Sequence, residues 1–295
     1  MTGTGTELDP YIVSNWTDFC SIKDESGKYI FWAELPTEQK VVDLNEEVPE
    51  GYTSAFTIAS RKVDFNGWTI RNLSIYAPNS TAPIDCGTGT HTLKNGKFMN
   101  CNFSAHVPFG AANGSALEDC VITGTFNSTG YNSDDRRYAR YTAYIRCAIN
   151  MNVNIHSSGY TDWQPQLINS IVRLNVISQK SSGDAFGIGY NSVTYDGVNT
   201  ATHDSKIILD LSLTAESGAN NIAITCSGNN VFIVKSDVKT TFAAYSTYTK
   251  VSLVRSDNPN DVYSSTLYKS VTDEQLKDPD YLYSLGFPIA TGVGS

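Results

Sequence analysis

Ile70-Arg71-Asn72-Leu73-Ser74-Ile75, Phe98-Met99-Asn100-Cys101-Asn102-Phe103 and Leu117-Glu118-Asp119-Cys120-Val121-Ile122 share one pattern: an Asn or Asp followed by a small or apolar residue, inside a short β-type segment. Leu167-Ile168-Asn169-Ser170-Ile171-Val172 is a fainter copy. Adjacent clear copies lie about 19 to 28 residues apart, a period expected of solenoids. One such unit is too small to bury its own apolar face, so the units must stack. The chain is therefore read as all-β, a right-handed single-stranded parallel β-helix. Strands of this length could also form a sandwich. The Asn66-Gly67 and Asn95-Gly96 turns and the Asn/Asp-Cys slots favour the solenoid.

Working outward from the repeat, residues 1–62 are read as an N-terminal cap with the first strands, 63–262 as the β-helix and 263–295 as a tail. Ser14 is a suitable N-cap for a short cap helix over Asn15 to Lys23, with Trp16, Phe19 and Cys20 on its buried side. First strands are expected at Lys28–Leu35, Lys40–Leu44, Phe56–Ala59 and Lys62–Phe65, and later ones at Lys206–Leu213, Asn221–Thr225, Val231–Val234 and Val251–Val254. Thr272 and Gln275 form a capping box for a short helix, and a further helical turn is expected over Asp280–Leu285. The polar stretch from Phe126 to Tyr144, together with 181–190 and 195–203, reads as loops.

Composition narrows the function classes. Charged residues make up 17% of the chain and the net charge is −9. Nucleic-acid binding needs clustered Lys and Arg, so it is disfavoured, and so is attraction to an anionic membrane. No segment has the roughly 18 apolar residues of a membrane span. Met1 is followed by Thr-Gly-Thr-Gly-Thr, without a basic segment or apolar run. Synthesis in a cytoplasm without secretory export is the expectation. The cysteines form no CxxC or CxH pattern, so zinc is disfavoured. Cys101 and Cys120, with Cys147 as a further candidate, are assigned to one interior column of small buried residues. No cofactor or metal site is expected.

Both ends and the first repeat carry a resemblance. Gly3-Thr4-Gly5-Thr6-Glu7-Leu8-Asp9-Pro10-Tyr11-Ile12-Val13 with Trp16, then Asp64-Phe65-Asn66-Gly67-Trp68-Thr69-Ile70-Arg71-Asn72-Leu73, and finally Val271 to Asp278 with Leu285-Gly286-Phe287-Pro288-Ile289, resemble β-helix virion proteins of tailed bacteriophages and prophages. The resemblance implies a non-enzymatic structural protein: a fibre, spike or head-decoration protein. It further implies a homotrimer contacting other capsid or tail proteins, and a virion location after synthesis in the host cytoplasm and release by lysis. Adhesion to a carbohydrate receptor on a bacterial or mucosal surface is a hypothesis added to it.

Two other classes compete. A tailspike polysaccharide depolymerase needs two carboxylates across a glycosidic bond. Asp134, Asp135 and Asp184 are the candidates, as loop residues beside aromatics. Adjacent side chains on a strand point to opposite faces, which weakens the Asp134–Asp135 pair. A lyase would draw on Arg136, Arg137, Tyr138, Arg140 and Tyr141, but no lyase signature surrounds them. A protein or glycan contact is their preferred functional role, beside an ordinary polar loop. The third class is a bacterial surface adhesin. Gly187-Ile188-Gly189 reads as a turn, and His91, His106, His156 and His203 are too scattered for a metal site.

Overall fold

The computed structural model describes residues 1–6, 8–13, 18, 29–32, 41–43, 56–57, 62–76, 84–88, 92–105, 110–112, 115–128, 142–156, 162–163, 166–182, 185–188, 194–195, 198–199, 205–218, 221–226, 230–236, 239–244, 252–255, 268–269, 274–275 and 278–284. These residues form parallel sheets, with very little helix. The first sheet runs in chain order through Tyr11–Val13, Tyr29–Trp32, Lys62–Asp64, Thr92–Lys94, Ser115–Glu118, Thr142–Ile145 and Gln166–Ile168. The second begins with Val41–Asp43 and Thr69–Arg71. It continues through Lys97–Ala105, Val121–Ser128, Ala148–Ile155, Ser170–Ser178, Ser205–Ala215, Asn230–Ser236, Ser252–Arg255 and Tyr268–Lys269. Ser74–Tyr76 also pairs with Lys97–Ala105.

Smaller parallel sheets join Phe56–Thr57, Ile84–Thr88 and Gly110–Ala112, and Asp162–Trp163, Phe186–Ile188, Asn221–Cys226 and Lys239–Ala244. Gly187 therefore lies in a strand, between Asp162 and Ala223, and not in a turn. Its neighbours Phe186 and Ile188 supply the strand propensity that the glycine masks. Thr194–Tyr195 and Val198–Asn199 pair antiparallel around Asp196-Gly197, a two-residue hairpin signature.

The expected strands recur within a few residues of their sequence bounds. The helix expected over Asn15–Lys23 lies outside the described residues, apart from Asp18. At the other end the helix spans Pro279–Ser284. Asp278 caps it: its Oδ1 accepts from the amides of Asp280 at 2.9 Å and Tyr281 at 3.3 Å, and Pro279 occupies the first turn, where no amide donor is needed.

The chain passes from the first sheet to the second through a residue in the left-handed region. Asn66, Asn95, Asp119, Arg146 and Asn169 have φ of 47°, 57°, 54°, 51° and 48°. Asn and Asp tolerate this region better than other L-residues, because their short side chains bond locally. The corners join the hydrogen-bond ladder. The amides of Asn95, Asp119 and Arg146 donate to the carbonyls of Glu118, Ile145 and Ile168, at 3.0, 2.9 and 2.8 Å.

A second left-handed position lies within the second sheet. Asn72 and Asn100 have φ of 61° and 53°. They form a bulge, where the pairing jumps from Phe98–Ile122 to Cys101–Gly124. Two structural slots therefore underlie what reads as one repeat. Asn72 and Asn100 belong to the bulge; Asp119 and Asn169 belong to the corner. Both slots select Asn or Asp for the same steric reason, and both precede an inward residue.

The single cysteine column is corrected accordingly. Cys101 stacks beside Leu73, as the pairing of Asn102 with Ser74 requires. Cys120 and Cys147 stack in the corner column, where Ser170 follows; the Ala148 amide donates to the Cys120 carbonyl at 2.9 Å. Ser170 Oγ donates to the Tyr144 carbonyl at 2.9 Å and accepts from the Cys147 amide at 3.0 Å, so the polar member of the column is bonded.

The core lies between the sheets. Val63, Leu93, Leu117, Tyr144 and Leu167 face inward from the first. Ile70, Phe98, Ile122, Ile149, Val172 and Leu209 form one buried row across the second. Phe103, Phe126, Val153 and Val176 form another. The rings of Phe65 and Phe98 meet edge to face at 5.2 Å.

Arg146 is the corner residue least suited to positive φ. Its guanidinium bonds Asp119 at 2.7 Å through both Nε and Nη2, and Glu118 at 2.5 Å. Arg146→Gly and Arg146→Ala lose these bonds alike, but only alanine keeps the Cβ that crowds a left-handed backbone. Arg146→Ala is expected to be the less stable by about 1 kcal/mol in urea titration. Equal stabilities would contradict the left-handed corner.

Candidate functional site

The outward face of the second sheet is lined with amides and hydroxyls. Its strands alternate, as in Ile149-Asn150-Met151-Asn152-Val153-Asn154-Ile155, where the apolar residues are buried and the asparagines are half-buried or exposed. Parallel in-register pairing places like positions side by side, one strand spacing of about 4.8 Å apart. Asn152, Asn175 and Ser212 are aligned in this way.

The aligned side chains bond one another. Asn175 Nδ2 donates to Asn152 Oδ1 at 3.1 Å, and Ser212 Oγ donates to Asn175 Oδ1 at 2.9 Å. In the neighbouring row Asn154 Nδ2 donates to Asn127 Oδ1 at 2.8 Å, and Asn127 Nδ2 reaches diagonally into the first row, to Asn102 Oδ1, at 3.1 Å. At the bulge, Asn100 Nδ2 donates to Asn72 Oδ1 at 2.6 Å, and Asn72 Nδ2 to Asp43 Oδ1 at 2.7 Å. Asn72, Asn127 and Asn175 each both donate and accept in these links. Asn100 donates through Nδ2 and Asn102 accepts through Oδ1, which leaves the other half of each of those two amides for solvent or a ligand.

The bulge gives this face a concavity. Asn72, Ser74, Asn100, Asn102, Thr125 and Asn127 line a shallow depression of about 550 Å³, with Cys101 at its base. None of these side chains except the buried thiol is titratable. One charged pair stands beside the depression, where Asp43 accepts from Asn72 and pairs with Arg71 at 3.5 Å. The Arg173–Asp210 pair, at 2.7 Å, lies on strands further along the sheet.

The buried thiols, Cys101 under the depression and Cys120 and Cys147 in the corner column, are shielded from solvent. Burial pushes the Cys101 thiol up to about 12, partly opposed by a hydrogen bond to the Leu73 backbone. Cys147 is also raised, chiefly by burial and then by the neighbouring Cys120. Cys101, Cys120 and Cys147 are free and buried. The thiolate is the nucleophile, so Cys101 and Cys147 resist alkylation while folded. The sign of the pH dependence follows. An unfolded thiol titrates near 8.5, whereas Cys101 holds its proton to about 12. Its stabilising contribution is whole below the unfolded value and is lost as pH rises through the folded one. Chemical denaturation between these limits should show stability falling with pH, and Cys101→Ala should reduce the slope by up to about 1.4 kcal/mol per pH unit.

Of the sequence-derived candidates, Asp134, Asp135, Arg136, Arg137, Tyr138, Arg140, Tyr141 and Asp184 all lie outside the described residues. His156 Nδ1 lies 3.3 Å from Gln179 Oε1. Among the described residues no cluster of three or more His, Cys, Asp or Glu could hold a metal, and no helix is long and apolar enough to cross a membrane. The asparagine rows were overlooked in the sequence, although strict alternation of Asn with apolar residues through 149–155 marks them. Compared with known proteins, the chain matches no family model, no curated protein and no solved structure.

Proposed function

We propose that the chain winds as a right-handed parallel β-helix and serves as a non-enzymatic structural protein of a bacteriophage particle, a fibre, spike or decoration protein that holds an adhesive surface away from the particle. The observation that carries this reading is the long run of parallel strands in chain order, with repeated left-handed corners and in-register asparagine rows. Such a stack makes a stiff shaft, because every unit is bonded to both neighbours along the axis. The resemblance of residues 3–13, 64–73 and 271–289 to phage β-helix proteins supports the assignment to a virion, the homotrimer and contacts with capsid or tail proteins.

Mass spectrometry of purified particles tests this directly. Peptides of this chain at stoichiometric abundance are expected, and their absence would contradict it. The alternative depolymerase reading places Asp134, Asp135 and Asp184 in catalysis. It requires new reducing ends or unsaturated uronates after incubation with host capsular polysaccharide.

A further inference from the structure

We propose that the concavity at the bulge binds a neutral polysaccharide, lying along the amide rows of the second sheet. The inference rests on the adhesive reading and gives it a ligand class. Four polar groups in the depression are uncommitted among the described residues: Asn100 Oδ1, Asn102 Nδ2 and the hydroxyls of Ser74 and Thr125. Their neighbours are already bonded, through Asn127 to Asn102 and Asn100 to Asn72. Those bonds hold the amides in place before a ligand arrives, which lowers the ordering cost of binding.

The chemistry selects the ligand. Mixed donors and acceptors suit vicinal hydroxyls, which both donate and accept. Among the described residues the lining carries no cation to neutralise a carboxylate or sulfate and no anion to receive an amine, and the Arg71 and Asp43 charges beside it neutralise each other. A charged polymer would give up water here without gaining a counter-charge. A polymer suits the site better than a free sugar, because the amide rows continue beyond the depression through Asn152, Asn154 and Asn175. Successive residues of a glycan chain can thus meet equivalent groups on successive strands. Among the described residues no aromatic side chain lines the depression to stack on a sugar face. Affinity per site is therefore weak, with Kd of order 1 mM.

Affinity electrophoresis through gels containing dextran, mannan or galactan, with alginate as the anionic control, reads such weak binding. Retardation is expected in at least one neutral gel, undiminished by added salt, and lost in Asn102→Ala/Thr125→Val. That variant alters only outward side chains, and its urea midpoint should match the parent's. Retardation in none of the neutral gels, in alginate alone, or equally for the variant would overturn the proposal. The outcome is independent of the virion assignment: a chain absent from particles could still be retarded, and a particle protein could fail to be.

Discussion

Gly124→Ala is expected to abolish the native stack or to destabilise it by about 3–5 kcal/mol. Gly124 has φ of +136°, and a Cβ there would lie 2.0 Å from the Cys101 carbonyl oxygen and 2.5 Å from its amide nitrogen. Both atoms belong to the neighbouring backbone, so no rotamer change relieves the collision. The glycine is needed where the bulged strand Lys97–Ala105 meets the straight strand Val121–Ser128. Pairing jumps one residue between Ile122 and Gly124, and the backbone must come unusually close to absorb the jump. Circular dichroism and urea unfolding of the variant would show the loss. Parent-like stability would mean that the two strands do not meet with this register shift.

Phe126→Ala carries the second large effect, about 3–5 kcal/mol. Phe126 is 2% exposed, and stacks between Phe103 and Val153 on neighbouring strands. Removing the ring opens a void that the bonded backbones on either side cannot close. The cost then includes both the lost burial and the residual cavity. On the opposite face, Asn152→Ala removes a solvent-facing amide and should change stability by less than about 0.5 kcal/mol. The contrast between adjacent positions of one pattern tests which face is inside. Similar losses at Phe126 and Asn152 in urea titration would contradict the assigned faces.

The strand-rich character of the chain and most strand positions were legible in the sequence, because apolar alternation and Asn-Gly turns depend on neighbouring residues alone. Parallel pairing was inferred from the repeat and agrees with the described sheets. The register was not legible. Asn100-Cys101 and Asp119-Cys120 look alike in sequence, since a left-handed backbone favours Asn or Asp in a corner and in a bulge alike. Only the pairing of Asn102 with Ser74, and the bond between the Cys120 and Ala148 backbones, separates them. Arg146 was hidden for the opposite reason. Nothing in its own chemistry marks a left-handed corner, and its partners Glu118 and Asp119 come from the preceding copy. The amide-lined face was written in the alternation of Asn150, Asn152 and Asn154. It leaves no mark among the titratable groups, because amides carry no charge.

The central claim is that successive copies stack in register along one axis. Spin labels carried on non-canonical residues at positions 74 and 212 leave the native thiols untouched. Ser74, Asn102, Thr125, Asn152, Asn175 and Ser212 occupy one row. Five strand spacings separate its ends, giving a backbone distance of about 24 Å. Moving the first label to positions 102 and then 152 should shorten the electron–electron distance by about 5 Å and then about 10 Å more. A distance that fails to fall in these steps, or ends that lie closer together than the intermediate positions, would contradict the stacked arrangement.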